Sequence, residues 1–212
     1  MWLAIDTTGP DCAGALRRAG EEAIVLSEPI GRGHAERLMP MLEELLAGAG
    51  AGWTDVEAIA CCRGPGSFTG LRVGLAAARG LALAADLPLH GVTVFDAFAA
   101  EAEGGEPFAV VMDARRGEVW WQPFDGGGSA VAPPMASSFD SMPELLAHVP
   151  ILYGSAAAPL AGETGARVGS ALASPPITGV LRAAVERALP GTAEPLYLRR
   201  PDAKPSRPVL TA

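Results

Sequence analysis

Apolar residues open the chain without alternation, so Trp2 to Ile5 reads as a strand buried on both faces and stopped by Asp6-Thr7-Thr8-Gly9-Pro10. Ala13 to Arg17 and Ala23 to Ser27 follow as two more strands. After Gly31-Arg32-Gly33, Leu38, Met41, Leu42, Leu45 and Leu46 recur at helical spacing, with Glu36, Arg37, Glu43 and Glu44 between them. That period predicts an amphipathic helix over His34 to Ala47. Pro40 has no amide hydrogen to give, so the helix begins near Leu38 or is kinked. Ala58 to Cys62 is a short strand running into the turn Arg63-Gly64-Pro65-Gly66-Ser67, and Phe68 to Ala85, rich in Leu and Ala and free of Pro, is a helix.

Leu89 to Val92 then reads as a strand and Phe95 to Glu103 as a helix, before the Gly-rich boundary Glu103-Gly104-Gly105-Glu106-Pro107. Beyond it Phe108 to Met112 is a strand ending at Asp113, a turn passes through Arg115-Arg116-Gly117, and Glu118 to Phe124 is an aromatic-rich strand. An apolar strand therefore twice stops at an Asp, turns and restarts, a hint of two related lobes. Asp125 to Ser138 reads as a Gly/Pro-rich loop, Ser141 to His148 as a short helix, Ile151 to Tyr153 as a strand and Thr178 to Leu189 as the last helix. Strands alternating with helices predict an α/β fold with mixed sheets, divided into a lobe over 1–103, a smaller lobe over 104–200 and a mobile tail over 201–212.

Composition narrows the function. With 212 residues, 49% hydrophobic, the chain can bury a core without disulfide or metal staples. Sixteen basic against 24 acidic residues give a net charge of −8, which disfavours tight nucleic-acid binding by this chain alone. Three cysteines, Cys12, Cys61 and Cys62, make a poor disulfide framework and point to a reducing cytoplasm. There is no signal-peptide pattern at the start, and Arg72 and Arg79 interrupt the longest apolar run, so no membrane partner is expected.

Several residues carry chemical meaning beside a plain structural one. Asp6, Thr7 and Thr8 stand at a strand end, where α/β folds place ligand contacts, but an Asp in that turn also serves to accept backbone hydrogen bonds. Gly64-Pro65-Gly66-Ser67 precedes a helix whose first amides can hold an anion; it lacks the Lys of a P-loop, and Ser67 also reads as an N-cap. Gly70, Gly74 and Ala78 at spacing four open a groove for a close neighbour, inside the chain or on a partner. The histidines, His34, His90 and His148, lack metal-ligand spacing, and Cys61 and Cys62 point to opposite faces of one strand as buried hydrophobes. Gly66-Ser67-Phe68-Thr69-Gly70 misses the spacing of a nucleophile elbow, so no catalytic set is assembled. Arg199, Arg200, Lys204 and Arg207 form a basic cluster near the C-terminus that reads as a solvated tail or an RNA contact within a complex.

Four ordered blocks, Leu3-Ala4-Ile5-Asp6-Thr7-Thr8, His34-Ala35-Glu36-Arg37-Leu38-Met39-Pro40, Gly64-Pro65-Gly66-Ser67-Phe68-Thr69-Gly70-Leu71-Arg72-Val73-Gly74 and Met112-Asp113-Ala114-Arg115-Arg116-Gly117-Glu118-Val119, resemble the TsaB (YeaZ) family. Pro195-Leu196-Tyr197-Leu198-Arg199 adds a weaker match in the second half. The resemblance implies an actin-like (ASKHA) two-lobe fold and a role in making threonylcarbamoyladenosine beside the tRNA anticodon. It implies a heterodimer with the paralogue TsaD, which carries the metal and the transferase chemistry, together with the ATPase TsaE and tRNA reached only through the complex; an exposed apolar helical face leads separately to the expectation of a homodimer when the chain is alone. ATP is then used by the complex and no cofactor is bound by this chain, because Thr7 stands where actin-like ATPases have a Gly and the paired metal histidines of TsaD have no counterpart.

The partner surface expected on this reading comprises His34, Arg37, Leu38, Met41, Leu42 and Leu45 on the first helix and Ser67, Phe68, Gly70, Leu71, Gly74, Leu75 and Ala78 on the second. Asp6, Thr7, Thr8, Gly64, Gly66 and Asp113 are the nucleotide-proximal set. The alternative function is a stand-alone actin-like nucleotide-dependent enzyme in which Asp6 and Asp113 hold a metal nucleotide.

Overall fold

The computed structural model describes residues 1–186 and 193–199. In the first lobe, β1 (Trp2–Asp6), β2 (Asp11–Arg17), β3 (Ile24–Pro29), β4 (Ala58–Cys62) and β5 (Leu89–Val92) form one sheet in the order β3-β2-β1-β4-β5. The first three strands run antiparallel as a meander, whereas β4 and β5 join parallel to β1 through the crossover helices α1 (His34–Gly48) and α2 (Phe68–Ala85). α3 (Val94–Glu101) ends the lobe. Its first turn is held by reciprocal bonds, the Asp96 amide donating to Thr93 Oγ1 and the Thr93 amide to Asp96 Oδ2.

The second lobe repeats that plan element for element. β6 (Phe108–Arg115), β7 (Glu118–Phe124), β8 (Met135–Ser138), α4 (Met142–Leu145), β9 (Ile151–Tyr153), α5 (Ala157–Thr164), β10 (Arg167–Ser170) and α6 (Ile177–Glu186) give a sheet in the order β10-β9-β6-β7-β8, with β6, β7 and β8 antiparallel and β9 and β10 parallel to β6. Asp6 is the last residue of β1, whereas β6 runs two residues past Asp113 to Arg115 because Asp113 still pairs with Val119; the repeat hinted at by the sequence is nonetheless an architectural duplication, the actin-like two-lobe fold.

Each sheet is apolar on both faces. In β1 and β4, Leu3, Ile5, Ile59 and Cys61 meet α1 and α2, while the small residues Ala4, Ala60 and Cys62 face α3 and α6. Small side chains on that inner face let the two helices lie between the sheets. They touch so closely that a Cβ on Gly179 would collide with the Ala97 carbonyl. Phe108, Val110, Met112 and Tyr153 close the central core from the second sheet, and Phe108 stacks on its register partner Phe124 at 5.0 Å. On the outer side of the second sheet, Val111, Trp121, Met142, Leu152 and Leu160 form a separate core.

Several expectations change in detail. α1 already begins at His34 and runs through Pro40, anchored on either side of it by buried Leu38, Met41 and Leu42. The stretch expected to be loop up to Ser138 contains β8, and the helix expected over Ser141 to His148 is one four-residue turn, α4. α5 and β10 have no counterpart among the expected elements, because Pro159, Gly162 and the exposed residues of β10 blur any period. α6 lies in the segment assigned to the second lobe but packs across β1, β4 and β5 of the first. Residues 187–189 of the expected last helix and the tail over 201–212 lie outside the described residues.

Candidate functional site

The turn after β1 and the start of α2 form one unit. The Thr7 hydroxyl donates to the Gly70 carbonyl at 2.7 Å, and the Ser67 amide donates to the Thr8 carbonyl at 2.8 Å. Three of the glycines here, Gly66, Gly70 and Gly74, are explained by that approach. A Cβ on Gly66 would lie 2.5 Å from the Thr8 carbonyl oxygen, one on Gly74 would lie 2.5 Å from Thr7 Oγ1, and one on Gly70 would overlap the Thr7 carbonyl. Ser67 caps α2 by accepting from the Gly70 amide at 3.2 Å. Two amides at this helix start, those of Ser67 and Gly70, are thus engaged by the chain's own oxygens, and the groove expected to receive a partner is filled by Thr7.

Of the expected nucleotide-proximal residues, Asp6, Thr7, Thr8, Gly64 and Gly66 come together here; Asp113 stands exposed at the matching end of the other sheet. Asp6 is fully buried, and its Oδ1 accepts from the Thr8 amide at 3.0 Å and the Thr8 hydroxyl at 2.7 Å. Its Oδ2 has no hydrogen-bond partner among the described residues. Burial pushes the carboxyl up to about 6 from its ordinary 3.8, against the opposing pull of the Thr8 bonds. Asp113 makes a wetter turn, its amide donating to Ser155 Oγ at 2.8 Å and its Oδ1 accepting from the Arg115 amide at 2.7 Å. From the second lobe, Ser174 Oγ accepts from the Asp11 amide at 3.1 Å and presses on Gly9.

The expected partner surface needs correction. Leu38, Met41, Leu42, Leu45, Leu71, Leu75 and Ala78 belong to the first lobe's own core, between 0% and 3% exposed, because the apolar faces of α1 and α2 lie on the sheet. Gly70 and Gly74 are buried against Thr7. Arg37 forks onto two carboxylates, its Nε donating to Glu28 Oε2 at 2.7 Å and its Nη1 to Glu44 Oε1 at 2.9 Å, which holds both acids below their usual range. His34 is half-buried at the start of α1. Of the expected surface residues, Ser67 and Phe68 are exposed.

What α2 does present outward is different. Phe68 is 55% exposed and Leu83 86%, with Arg72, Ala76 and Gly80 exposed between them. The Arg72 guanidinium lies 3.7 Å above the Phe68 ring, and the Tyr197 ring lies tilted beside it, 5.8 Å between centroids. The sequence does carry a signal for this face: it is the set of α2 positions left over once the glycine stripe is turned inward. A cavity of about 460 Å3 opens elsewhere, among Phe98, Glu101, Tyr153, Arg167 and Leu172, and touches none of the expected site residues.

The cysteines are buried, with Cys61 and Cys62 on opposite sides of the sheet; burial drives both thiols up, and Cys12 up to about 11. Among the described residues, no group of three or more His, Cys, Asp or Glu stands together as a metal site.

Comparison with known proteins agrees with this architecture. The family model described as the tRNA N6-adenosine threonylcarbamoyltransferase TsaD matches residues 25–174. An uncharacterised protein of Mycobacterium bovis is 38% identical, over 96% of this chain and 93% of its own length. The tRNA threonylcarbamoyladenosine biosynthesis protein TsaB of Escherichia coli is 42% identical over 56% of this chain and 52% of its own. The solved structure of YeaZ from Pseudomonas aeruginosa superposes with a TM-score of 0.75 at 30% identity, covering 93% of this chain and 99% of that one. These likenesses define an actin-like protein of the TsaD-related group. Within that group the chain belongs to the TsaB (YeaZ) family.

Proposed function

We propose that this chain is a non-catalytic partner of a TsaD paralogue in the machinery that makes threonylcarbamoyladenosine in tRNA. The observation that carries this reading is the closure of the β1 turn onto α2. In an actin-like fold the strand-end turns are where nucleotide phosphates are taken up, and here the Thr7 hydroxyl, the Thr8 carbonyl and the Ser67 amide are bonded to one another's segments. Asp6 beneath them is fully buried and bonded to Thr8. A stand-alone nucleotide-dependent enzyme would need these groups free, so the geometry favours the partner role over that alternative. On this reading catalysis belongs to TsaD, TsaE joins the pair, ATP serves the complex, tRNA is met only through the complex, and the chain works in the cytoplasm, pairing with itself when alone.

The partner surface is the outer face of α2, with Phe68, Arg72, Ala76 and Leu83, rather than the inward stripe of Gly70 and Gly74. Aromatic and arginine side chains exposed together match the composition of interface anchors. Light scattering on a sizing column, with the chain mixed with the TsaD paralogue of the same genome, tests it. A stoichiometric heteromer is expected for the native chain, and a loss of pairing with an unchanged melting temperature for Leu83→Asp. Separate elution of the native proteins would overturn the partner role; undiminished pairing by Leu83→Asp together with Phe68→Asp would overturn the surface. Nucleotide hydrolysis by the isolated chain, lost in Asp6→Ala, would establish the enzyme instead.

A further inference from the structure

Residues 193–199 run outside both sheets yet are bonded to each lobe. On the first lobe, the Leu196 amide donates to the Arg63 carbonyl at 2.7 Å, Arg79 Nη2 donates to the Ala193 carbonyl at 2.6 Å, and Arg72 Nε donates to the Tyr197 hydroxyl at 3.3 Å. The Tyr197 ring also lies against Phe68 in a tilted contact. Two residues later the segment reaches the second lobe. Arg199 donates through Nε and Nη2 to Glu118 Oε2, at 3.0 and 2.5 Å, and through Nη2 to the carbonyls of Ala114 and Arg115, at 2.9 and 3.3 Å. Between these anchors Leu196 and Leu198 rest on the central core that both lobes share.

The receiving end is unusual. Arg115 and Arg116 adopt left-handed backbone angles, φ 62° and 56°, ahead of Gly117 at 74°. Side-chained residues in that region carry a conformational cost and persist where the surroundings hold them there. The hairpin is fastened by Arg199, whose fork takes up two of its carbonyls and the carboxylate of the next strand.

We propose that residues 193–199 are an inter-lobe strap, clasped at Arg199 and Glu118, that sets the angle between the lobes and carries it to the exposed face of α2. An isolated exposed ion pair contributes little. This clasp differs because one guanidinium serves a carboxylate and two main-chain carbonyls, a geometry that Lys cannot reproduce. Releasing it frees the β6–β7 turn, leaves Tyr197 held only from the α2 side, and lets the lobes move against each other. That the movement reaches a partner protein rests on the role proposed above for α2; the strap itself does not, and it is tested on the isolated chain.

The three native thiols are buried, so spin labels on Glu43→Cys of α1 and Glu163→Cys of α5, both exposed, report the inter-lobe distance selectively. The native clasp should give one narrow distance distribution. Arg199→Ala and Arg199→Lys should both broaden it, and should speed amide exchange at Arg115 to Gly117 and at Leu196 together, by about tenfold or more. Glu118→Gln should act in the same direction, with the double variant adding little to either single one. A native distance distribution and native exchange at Leu196 in Arg199→Ala would overturn the strap. Faster exchange confined to the hairpin would overturn it too, reducing Arg199 to a local cap. If Arg199→Ala fails to fold, Arg199→Lys decides between the same outcomes. Normal strap behaviour without TsaD pairing would refute the partner role and leave the strap standing.

Discussion

The Thr7 hydroxyl donates a 2.7 Å hydrogen bond to the carbonyl of Gly70, joining the first strand's turn to a helix that begins more than sixty residues later. The bond is possible only because Gly70 and Gly74 bring no side chain between the two segments. Gly70→Ala should therefore destabilise the fold by about 1–3 kcal/mol, the usual cost of forcing atoms into a filled site. Gly74→Leu should be worse and should depress expression rather than selectively abolish pairing. Gly80, whose Cβ would meet nothing within 4 Å, is the control. Gly80→Ala should stabilise by about 0.5–1 kcal/mol through helix propensity. Urea unfolding followed by circular dichroism measures all three.

Asp6 should make stability fall as pH rises. Its folded-state value, about 6, lies above the ordinary 3.8, so the native state holds the proton more tightly than the unfolded chain does. The stabilisation from this group is complete below about pH 4 and is lost as pH passes through 6, amounting to about 3 kcal/mol by pH 8. Asp6→Asn keeps an oxygen for the Thr8 bonds and carries no charge. It should flatten the dependence between pH 4 and 8 and be the more stable protein at pH 8. Equal pH slopes for native and variant chains in urea melts would show that the buried charge is relieved in another way.

The thiols should be silent in the folded protein. Cys12, Cys61 and Cys62 are buried and their thiols are pushed up, so the reactive thiolate is both scarce and shielded. A chromogenic thiol reagent at pH 8 should label none within minutes and all three after denaturation. Fast labelling of one thiol in the native protein would reveal local opening of the sheet around it.

Arg37 joins β3 to α1 through Glu28 and within α1 to Glu44. Arg37→Ala should lower the melting temperature modestly, and the difference from the native chain should shrink as salt is raised, since exposed pairs are screened. It should leave α1 helical, because Leu38, Met41, Leu42 and Leu45 keep their places in the core. Scanning calorimetry at low and high salt reads the change.

Strands and helices with strong periods are legible in the amino-acid order alone: β4, α2, β5, β7 and β9 have the bounds that their patterns predict. Elements with weak periods are not. α5 is broken by Pro159 and Gly162, and β10 is an edge strand with exposed side chains, so neither carries the alternation by which an element announces itself. The duplicated plan of the first lobe is the signal that could locate them. At the site, Asp6, Thr7, Thr8, Gly64 and Gly66 are legible as a group from their residue types and their places at strand ends and turns. The direction of the glycine stripe is not, because spacing four marks a face of a helix and leaves open what that face meets.

By itself the sequence determined the α/β class and the lack of metal-ligand spacing among its histidines, since these reside in local order, period and residue type; the family and its two-lobe plan were carried by the resemblance of four ordered motif blocks. Only the tertiary structure decided which face of each helix is inside, that α6 returns to the first sheet, that Thr7 fills the glycine groove, and that Arg199 reaches Glu118. Those relations depend on contacts between segments distant in the chain, 63 residues apart for Thr7 and Gly70 and 81 for Glu118 and Arg199. Chain closure and packing select them from many arrangements compatible with the same local pattern.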